Sequence, residues 1–400
     1  MGFFKKKQPK EKPYLWVVPR VNQLLQDNQQ STPGQIYDGE ALARFFTAAG
    51  FPCKNVKTTT GASVATYHFK LDNVLTVDKV KKVIVPLEAE LSCDITMGKS
   101  DTGHFSIMIP RKERETVHLN SVLKSTEFKA LINAYTNENI YNANIPMCLG
   151  TDTEGRALCV DLAELPHTII SGSTGSGKSV LVNSMITSTL FAKAPSQLQY
   201  ILIDPKSVEY SMFEGIPHLF GNNDIPPQVI TDTRQAIYTL NYMVQIMEQR
   251  YTQLKQMGKR DIEGTKFSRI VIVVDEFSDI ILSSKRAVEE SVLRIAQKGR
   301  AAGLHCIIST QQPRAEVLTG IIRANLPSRI SLKTATATDS RISLGYNMAE
   351  KLQGRGDSIF IDPKSPGDFK RFQAAWISPQ DISKVTAWWK DDTRCKEYQQ

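Results

Sequence analysis

From residue 167 onward the chain alternates two kinds of apolar spacing. Short runs of β-forming residues at His167–Ser171, Gln199–Ile203, Arg269–Val274, His305–Thr310, Ser328–Lys333 and Ser358–Ile361 are separated by longer stretches whose apolar positions recur every three or four residues. Runs without polar alternation suit strands covered on both faces, whereas spacing near 3.6 suits helices packed on one face. Their alternation predicts an α/β domain with a predominantly parallel, doubly wound sheet. The longest predicted helix is Asp232–Met257, with Ala236, Leu240, Met243, Val244, Met247, Tyr251 and Leu254 on one face and Gly258 past its end.

Upstream the pattern is shorter. Residues 41–46 read as a helix, and Val56–Thr59 with Val64–Leu71 as a hairpin across Gly61. Val77–Leu91 reads as a second helix that Pro86 should kink, followed by strands around Ile95–Met97 and Phe105–Ile109. No cluster of reactive side chains occurs there, so residues 36–120 are expected to form a small α/β domain for scaffolding or oligomerisation. Residues 1–35, which end in the turn-like Ser31-Thr32-Pro33-Gly34, are expected to be a basic flexible tail and linker, and residues 121–400 the large domain.

Charge modifies this picture less than the total implies. The net charge is +8, but residues 1–20 carry Lys5, Lys6, Lys7, Lys10, Lys12 and Arg20 against Glu11, which leaves only +3 for the rest. A nucleic-acid surface on the body must therefore be a focused patch. No window of about 18 residues is uncharged and apolar, and no apolar leader follows Met1, so neither a membrane helix nor a secretory signal is predicted. Six scattered cysteines without C-x-x-C spacing read as reduced thiols, and a cytoplasmic location is expected.

The chemistry concentrates where strands end. Gly172-Ser173-Thr174-Gly175-Ser176-Gly177-Lys178-Ser179 fits G-x-x-x-x-G-K-[ST] between a predicted strand and a predicted helix. In such a loop the backbone N–H groups and the helix N-terminus cradle phosphate oxygens. Lys178 reaches the terminal phosphates and Ser179 offers a hydroxyl to Mg²⁺, so ATP and Mg²⁺ are the expected ligands. Ile270–Val274 delivers Asp275 and Glu276 to the carboxyl end of a second strand, with Asp275 on the metal side and Glu276 as catalytic base. Gln311, at the tip of the 305–310 strand, is placed to sense the γ-phosphate. Arg300, just before Gly303, is a candidate arginine finger acting on a neighbouring subunit, with Arg329 as the second candidate. Arg314, Arg323, Lys333 and Arg341 follow the sensor strand as a run of cations.

In order and spacing, Leu202-Ile203-Asp204-Pro205-Lys206, Val274-Asp275-Glu276-Phe277, Gly299-Arg300-Ala301-Ala302-Gly303, Ser309-Thr310-Gln311-Gln312-Pro313, Ile322-Arg323-Ala324-Asn325 and Gly354-Arg355-Gly356-Asp357 resemble the motor module of the FtsK/SpoIIIE family of double-stranded DNA translocases. The resemblance covers about residues 36–390. It implies a RecA-like P-loop NTPase, ATP hydrolysis coupled to movement on double-stranded DNA, and a homo-oligomeric ring, expected to be a hexamer, serving plasmid or phage DNA transfer or packaging. For such a motor Arg314, Arg323, Lys333 and Arg341 are candidate contacts to DNA phosphates, Arg323 and Arg341 in a central pore. The alternative reading within the same superfamily is a protein-secretion or coupling ATPase. Neither the membrane anchor nor the winged-helix domain of cellular members is visible, so a soluble form is expected. Gln312 and Ala337 stand where the family usually carries Arg and Lys.

Overall fold

In the computed structural model, which describes residues 18–25, 36–72, 77–98, 103–133, 144–165, 167–365 and 367–391, the strands gather into two sheets. The lysine cluster of residues 5–12 lies outside the described residues. Residues 18–25, expected as part of the tail, instead hold a helical turn, Val21–Leu24, and bury Leu25 in the core of the large domain. Their apolar members Val18, Val21, Leu24 and Leu25 explain the difference, because a solvated tail would leave them in water.

The smaller sheet comprises β1 (Cys53–Thr60), β2 (Val64–Leu71), β3 (Thr96–Met97) and β4 (His104–Pro110), antiparallel throughout in the order β1-β2-β4-β3. Helices Gly39–Ala48 and Val77–Leu91 supply the rest of its core. Asp38 starts the first of them by accepting a hydrogen bond from the Glu40 N–H. The second runs through Pro86 without ending. Phe46, Phe69 and Phe105 meet ring to ring at 5.1–5.3 Å in the centre.

The larger sheet contains β5 (Pro146–Asp152), β6 (Ala157–Asp161), β7 (Thr168–Ser171), β8 (Leu198–Ile203), β9 (Arg269–Val274), β10 (Leu304–Thr310), β11 (Ser328–Leu332), β12 (Asp357–Ile361) and β13 (Lys370–Ala374). Their order is β6-β5-β13-β12-β11-β7-β10-β9-β8. From β11 to β8 every pairing is parallel; from β11 to β6 every pairing is antiparallel. The sheet is thus mixed, where a predominantly parallel one was expected. β5 escaped notice because its register shifts between Cys148 and Gly150, and β13 because it buries the polar Arg371 and Gln373.

In the parallel half both faces are covered, as the unbroken apolar runs required. Val271 and Val273 of β9 lie with Ile170, Leu202 and Ile307 against helix Lys178–Leu190. Ile270, Ile272 and Val274 point the other way, toward helices Thr233–Gln256 and Lys285–Lys298. The long helix is capped by Asp232, whose side chain accepts from the Gln235 N–H.

Polar ties join the two domains. Arg371 donates to Asp357 Oδ1 at 3.0 Å and Oδ2 at 2.7 Å, and extends Nη1 to Thr96 Oγ1 at 2.9 Å. Lys351 reaches Glu88 at 3.0 Å. Among the described residues no helix is long and apolar enough to cross a membrane.

Candidate nucleotide-hydrolysis site

Strand order decides where the chemistry meets. β10 lies between β7 and β9, so the carboxyl ends of three neighbouring parallel strands deliver the 172–179 loop, Gln311 and the Asp275-Glu276 pair to one crevice. Open α/β sheets bind ligands at such a point.

The loop is held on three sides. Gly172 N–H donates to the Thr310 carbonyl, Ser173 N–H and Oγ both donate to the Lys333 carbonyl, and Gly356 N–H donates to the Ser176 carbonyl at 2.7 Å. Gly177 is the N-cap of helix Lys178–Leu190 at φ +101°, and a Cβ there would come within 2.7 Å of Gly356 N. Only glycine combines that backbone with so close a neighbour. The loop therefore turns directly into a helix N-terminus, the kind of backbone that suits an anion.

Behind the loop stands a buried polar cluster. Lys178 Nζ donates to Asp275 Oδ1 at 2.7 Å and to Ser309 Oγ at 3.0 Å, with both charged side chains almost fully buried. Ser309 Oγ in turn donates to the Asp275 carbonyl. Glu276 is also buried and accepts from Ser278 Oγ and Thr310 Oγ1, both at 2.7 Å, and from the Gln311 N–H at 3.1 Å. The Gln311 side chain reaches the other way, its Oε1 accepting from Thr174 Oγ1 at 2.9 Å. Gln311 thus spans the P-loop and the Glu276 carboxylate, with its backbone on one and its amide on the other. Lys206 approaches Glu276 at 3.9 Å and Asp279 at 3.7 Å from the end of β8. Tyr210 is buried behind the pair, and burial, with Asp275 and Asp204 nearby, holds its phenol well above the usual range.

Local spacing alone does not mark Ser309, Thr310, Ser278 and Thr174 as partners of these groups. The signal was present in Ser309-Thr310-Gln311, since hydroxyls at the end of a buried strand need acceptors and the acidic pair supplies them.

The remaining candidates divide by distance. Arg300 sits before the first residue of β10, at the opposite end of the strand from Gln311, and pairs with Glu164 at 3.6 Å. A strand of that length spans about 20 Å, so Arg300 lies out of reach of its own subunit's loop. Arg329, near the start of β11, donates from Nη2 to the Arg323 carbonyl at 3.0 Å, and burial, with Arg323 beside it, lowers its pKa. Arg323 is half-buried on helix Gly320–Asn325, and Arg341 is exposed on helix Ala337–Leu344 with Nε on Asn347 Oδ1. Arg314, beside Glu316, and Lys333, at the tip of β11, lie instead at the nucleotide end. Arg323 thus lies by the start of β11, whereas Arg314 and Lys333 lie at the nucleotide end.

A model of the FtsK/SpoIIIE family matches residues 131–269 and 263–315. The chain is similar to the DNA translocase FtsK of Haemophilus ducreyi, with 35% identity over 408 residues that span 90% of this chain and 40% of that protein. It is similar also to the DNA translocase FtsK of Caldanaerobacter subterraneus subsp. tengcongensis, with 36% identity over 356 residues, 86% of this chain and 47% of that one. The chain thus spans less than half the length of these relatives. Of solved structures, the monomer form of the pCW3 conjugation coupling protein TcpA with ATPγS superposes with a TM-score of 0.53 at 22% identity, covering 87% of this chain and 99% of that chain. The cytoplasmic domain of the Thermomonospora curvata type VII secretion ATPase EccC gives 0.52 at 23% identity, covering 67% of this chain and 34% of that chain. These structures bear on the fold, which is that of P-loop ATPases. Because the relatives at about 35% identity agree with it across most of its length, the chain belongs to the FtsK/SpoIIIE family of ATPases.

Proposed function

We propose that the protein is an ATP-driven double-stranded DNA translocase working as a homo-oligomeric ring, with six subunits as the expected number. The observation that carries this reading is the direct hydrogen bonding of the nucleotide loop to the tips of β10 and β11, at Gln311 and Lys333, from which the basic segments continue. β10 passes from Thr310 and Gln311 straight into the stretch holding Arg314 and Arg323, and the Lys333 carbonyl at the tip of β11 accepts two hydrogen bonds from Ser173. A change at the loop thus reaches the cations without an intervening domain.

In this reading, triphosphate binding draws Lys178 Nζ from Asp275 to the β- and γ-phosphate oxygens. The Ser179 hydroxyl and the Asp275 carboxylate, hard oxygen donors on either side of the cradle, fit Mg²⁺. When bound, that ion neutralises phosphate charge. Glu276 accepts the proton of the attacking water while Gln311 orients it. Arg300 acts on the neighbouring subunit's site, which its place at the far end of β10 favours. Arg314, Arg323, Lys333 and Arg341 grip backbone phosphates without reading bases. The curated relatives at about 35% identity carry the name DNA translocase, whereas the secretion ATPase shares the fold at 23%, and this favours duplex DNA over polypeptide as cargo. The test is hydrolysis with and without linear duplex at low salt. Stimulation by duplex supports the proposal; a turnover indifferent to duplex overturns it.

A further inference from the structure

Cys148 and Cys159 are 11 positions apart in the chain, but the antiparallel pairing of β5 with β6 sets one directly opposite the other. Side chains opposite each other in such a pair leave the same face of the sheet. Their Sγ atoms stand 4.0 Å apart. The Cys148 N–H donates to Ser188 Oγ on helix Lys178–Leu190 at 3.0 Å rather than across the ladder. That is the mark of a non-hydrogen-bonded pair, the closer of the two antiparallel arrangements, in which Cα atoms are typically about 4.5 Å apart. Disulfides span about 4.4–6.8 Å between Cα atoms, so rotation of the two side chains can close the bond without moving either strand. The thiols differ in access. Cys148 is fully buried, whereas Cys159 is half-buried and still meets solvent. β6 is also the outermost strand of the large sheet, with β5 its one neighbour.

We propose that Cys148 and Cys159 form a reversible oxidation site, closed by a small-molecule disulfide of the glutathione class into a bond that staples β6 to β5. In the first step the Cys159 thiolate attacks one sulfur of that disulfide, and the other sulfur leaves as a thiolate that takes up the proton Cys159 gave up. In the second, Cys148 loses its proton and its sulfur attacks Cys159 Sγ, and the second small thiol leaves with that proton. Two protein thiols are oxidised and one small disulfide is reduced to two thiols. Burial, with Cys159 beside it, holds the Cys148 thiol well above its usual range, so the second step is the slower and the mixed disulfide on Cys159 forms first. The described cysteines are all free, so the structure shows the reduced state. The inference stands whether or not the protein moves on DNA.

The test treats the full chain with oxidised glutathione in the absence of denaturant, alkylates the remaining thiols in denaturant and maps the unreduced peptides by mass spectrometry. A peptide pair joined through Cys148 and Cys159 is expected, with free thiols falling by two from the six of the sequence and returning in dithiothreitol. Glutathione that stays on Cys159, or full alkylation of Cys148, overturns the proposal. In Cys148→Ala the same treatment should stop at the mixed disulfide on Cys159; a variant that takes up no glutathione there removes Cys159 as the point of entry. Amide exchange along β6 reads the staple itself. It should slow when the bond closes and recover on reduction, and equal exchange in both states contradicts that role.

Discussion

Replacing Glu276 by Gln separates catalysis from folding. The carboxylate accepts from two hydroxyls, Ser278 Oγ and Thr310 Oγ1, and from one fixed donor, the Gln311 N–H. An amide fits if its carbonyl faces Gln311 and its NH₂ faces the hydroxyls, because Ser and Thr can rotate to accept. Each contact then changes from a charge-assisted bond of about 1.5–3 kcal/mol to a neutral one of about 0.5–1.5. Three contacts lose about 3 kcal/mol together, offset in part because no charge remains buried; the net cost is about 1–2 kcal/mol. The fold should survive with a melting midpoint lowered by a few degrees. Loss of a general base, by contrast, slows the chemical step by about 10²–10⁴. Phosphate release in single turnover, ATP binding at equilibrium and thermal denaturation read the three quantities separately. The expected result is binding near that of the parent, a small thermal shift and hydrolysis reduced at least about a hundredfold. Hydrolysis at the parent rate by a folded variant would refute the assignment of Glu276 as base.

Arg300→Ala alone and Lys178→Ala alone should each be nearly inactive, but a mixture should regain activity wherever an intact loop meets an intact Arg300 across a subunit boundary; a mixture no better than its components removes Arg300 as the finger. Arg371→Met leaves Asp357 buried without its cation and frees Thr96, and should cost about 3–5 kcal/mol in denaturant unfolding; a loss under about 1 kcal/mol would show that the pair is not needed. His167 and His218 are held at about 4 by burial, so between pH 6.5 and 4 the unfolded chain binds protons that the native one does not. Stability is then full above the unfolded histidine value and falls with pH by about 1.4 kcal/mol per unit for each ring; the slope should be shallower in His218→Gln, and an unchanged slope counts against the buried neutral ring. Arg323→Gln and Arg341→Gln should each weaken duplex binding at every sequence alike and lower the log–log salt slope by about 0.9; an unaltered slope places that arginine off the DNA.

Sequence resolved the parallel half of the large sheet closely, because strands buried on both faces appear as unbroken apolar runs and helix Thr233–Gln256 announces itself through one apolar face and an Asp232 cap. It failed at β5, β6 and β13, where a register shift at Gly150 and the buried Arg371 and Gln373 mask the strand signal. Residues 18–25 depart from a solvated tail for a related reason: a segment too short to show periodicity gains its order from the surface that receives Leu25. In the candidate site, the residues that meet were legible from two strand ends. What was not legible is lateral. That β10 lies between β7 and β9, so that Thr310 reaches Glu276 and Gln311 reaches Thr174, depends on strand order, which local spacing does not encode.

In the proposed function, phosphate loss at the 172–179 loop drives movement on duplex DNA. Displacement of a third strand from a triplex placed on a linear duplex measures it most directly. Displacement is expected with ATP and none with ATPγS or with Glu276→Gln, at matched DNA binding. Displacement that proceeds equally without hydrolysis, or active hydrolysis that never displaces the strand, would contradict it.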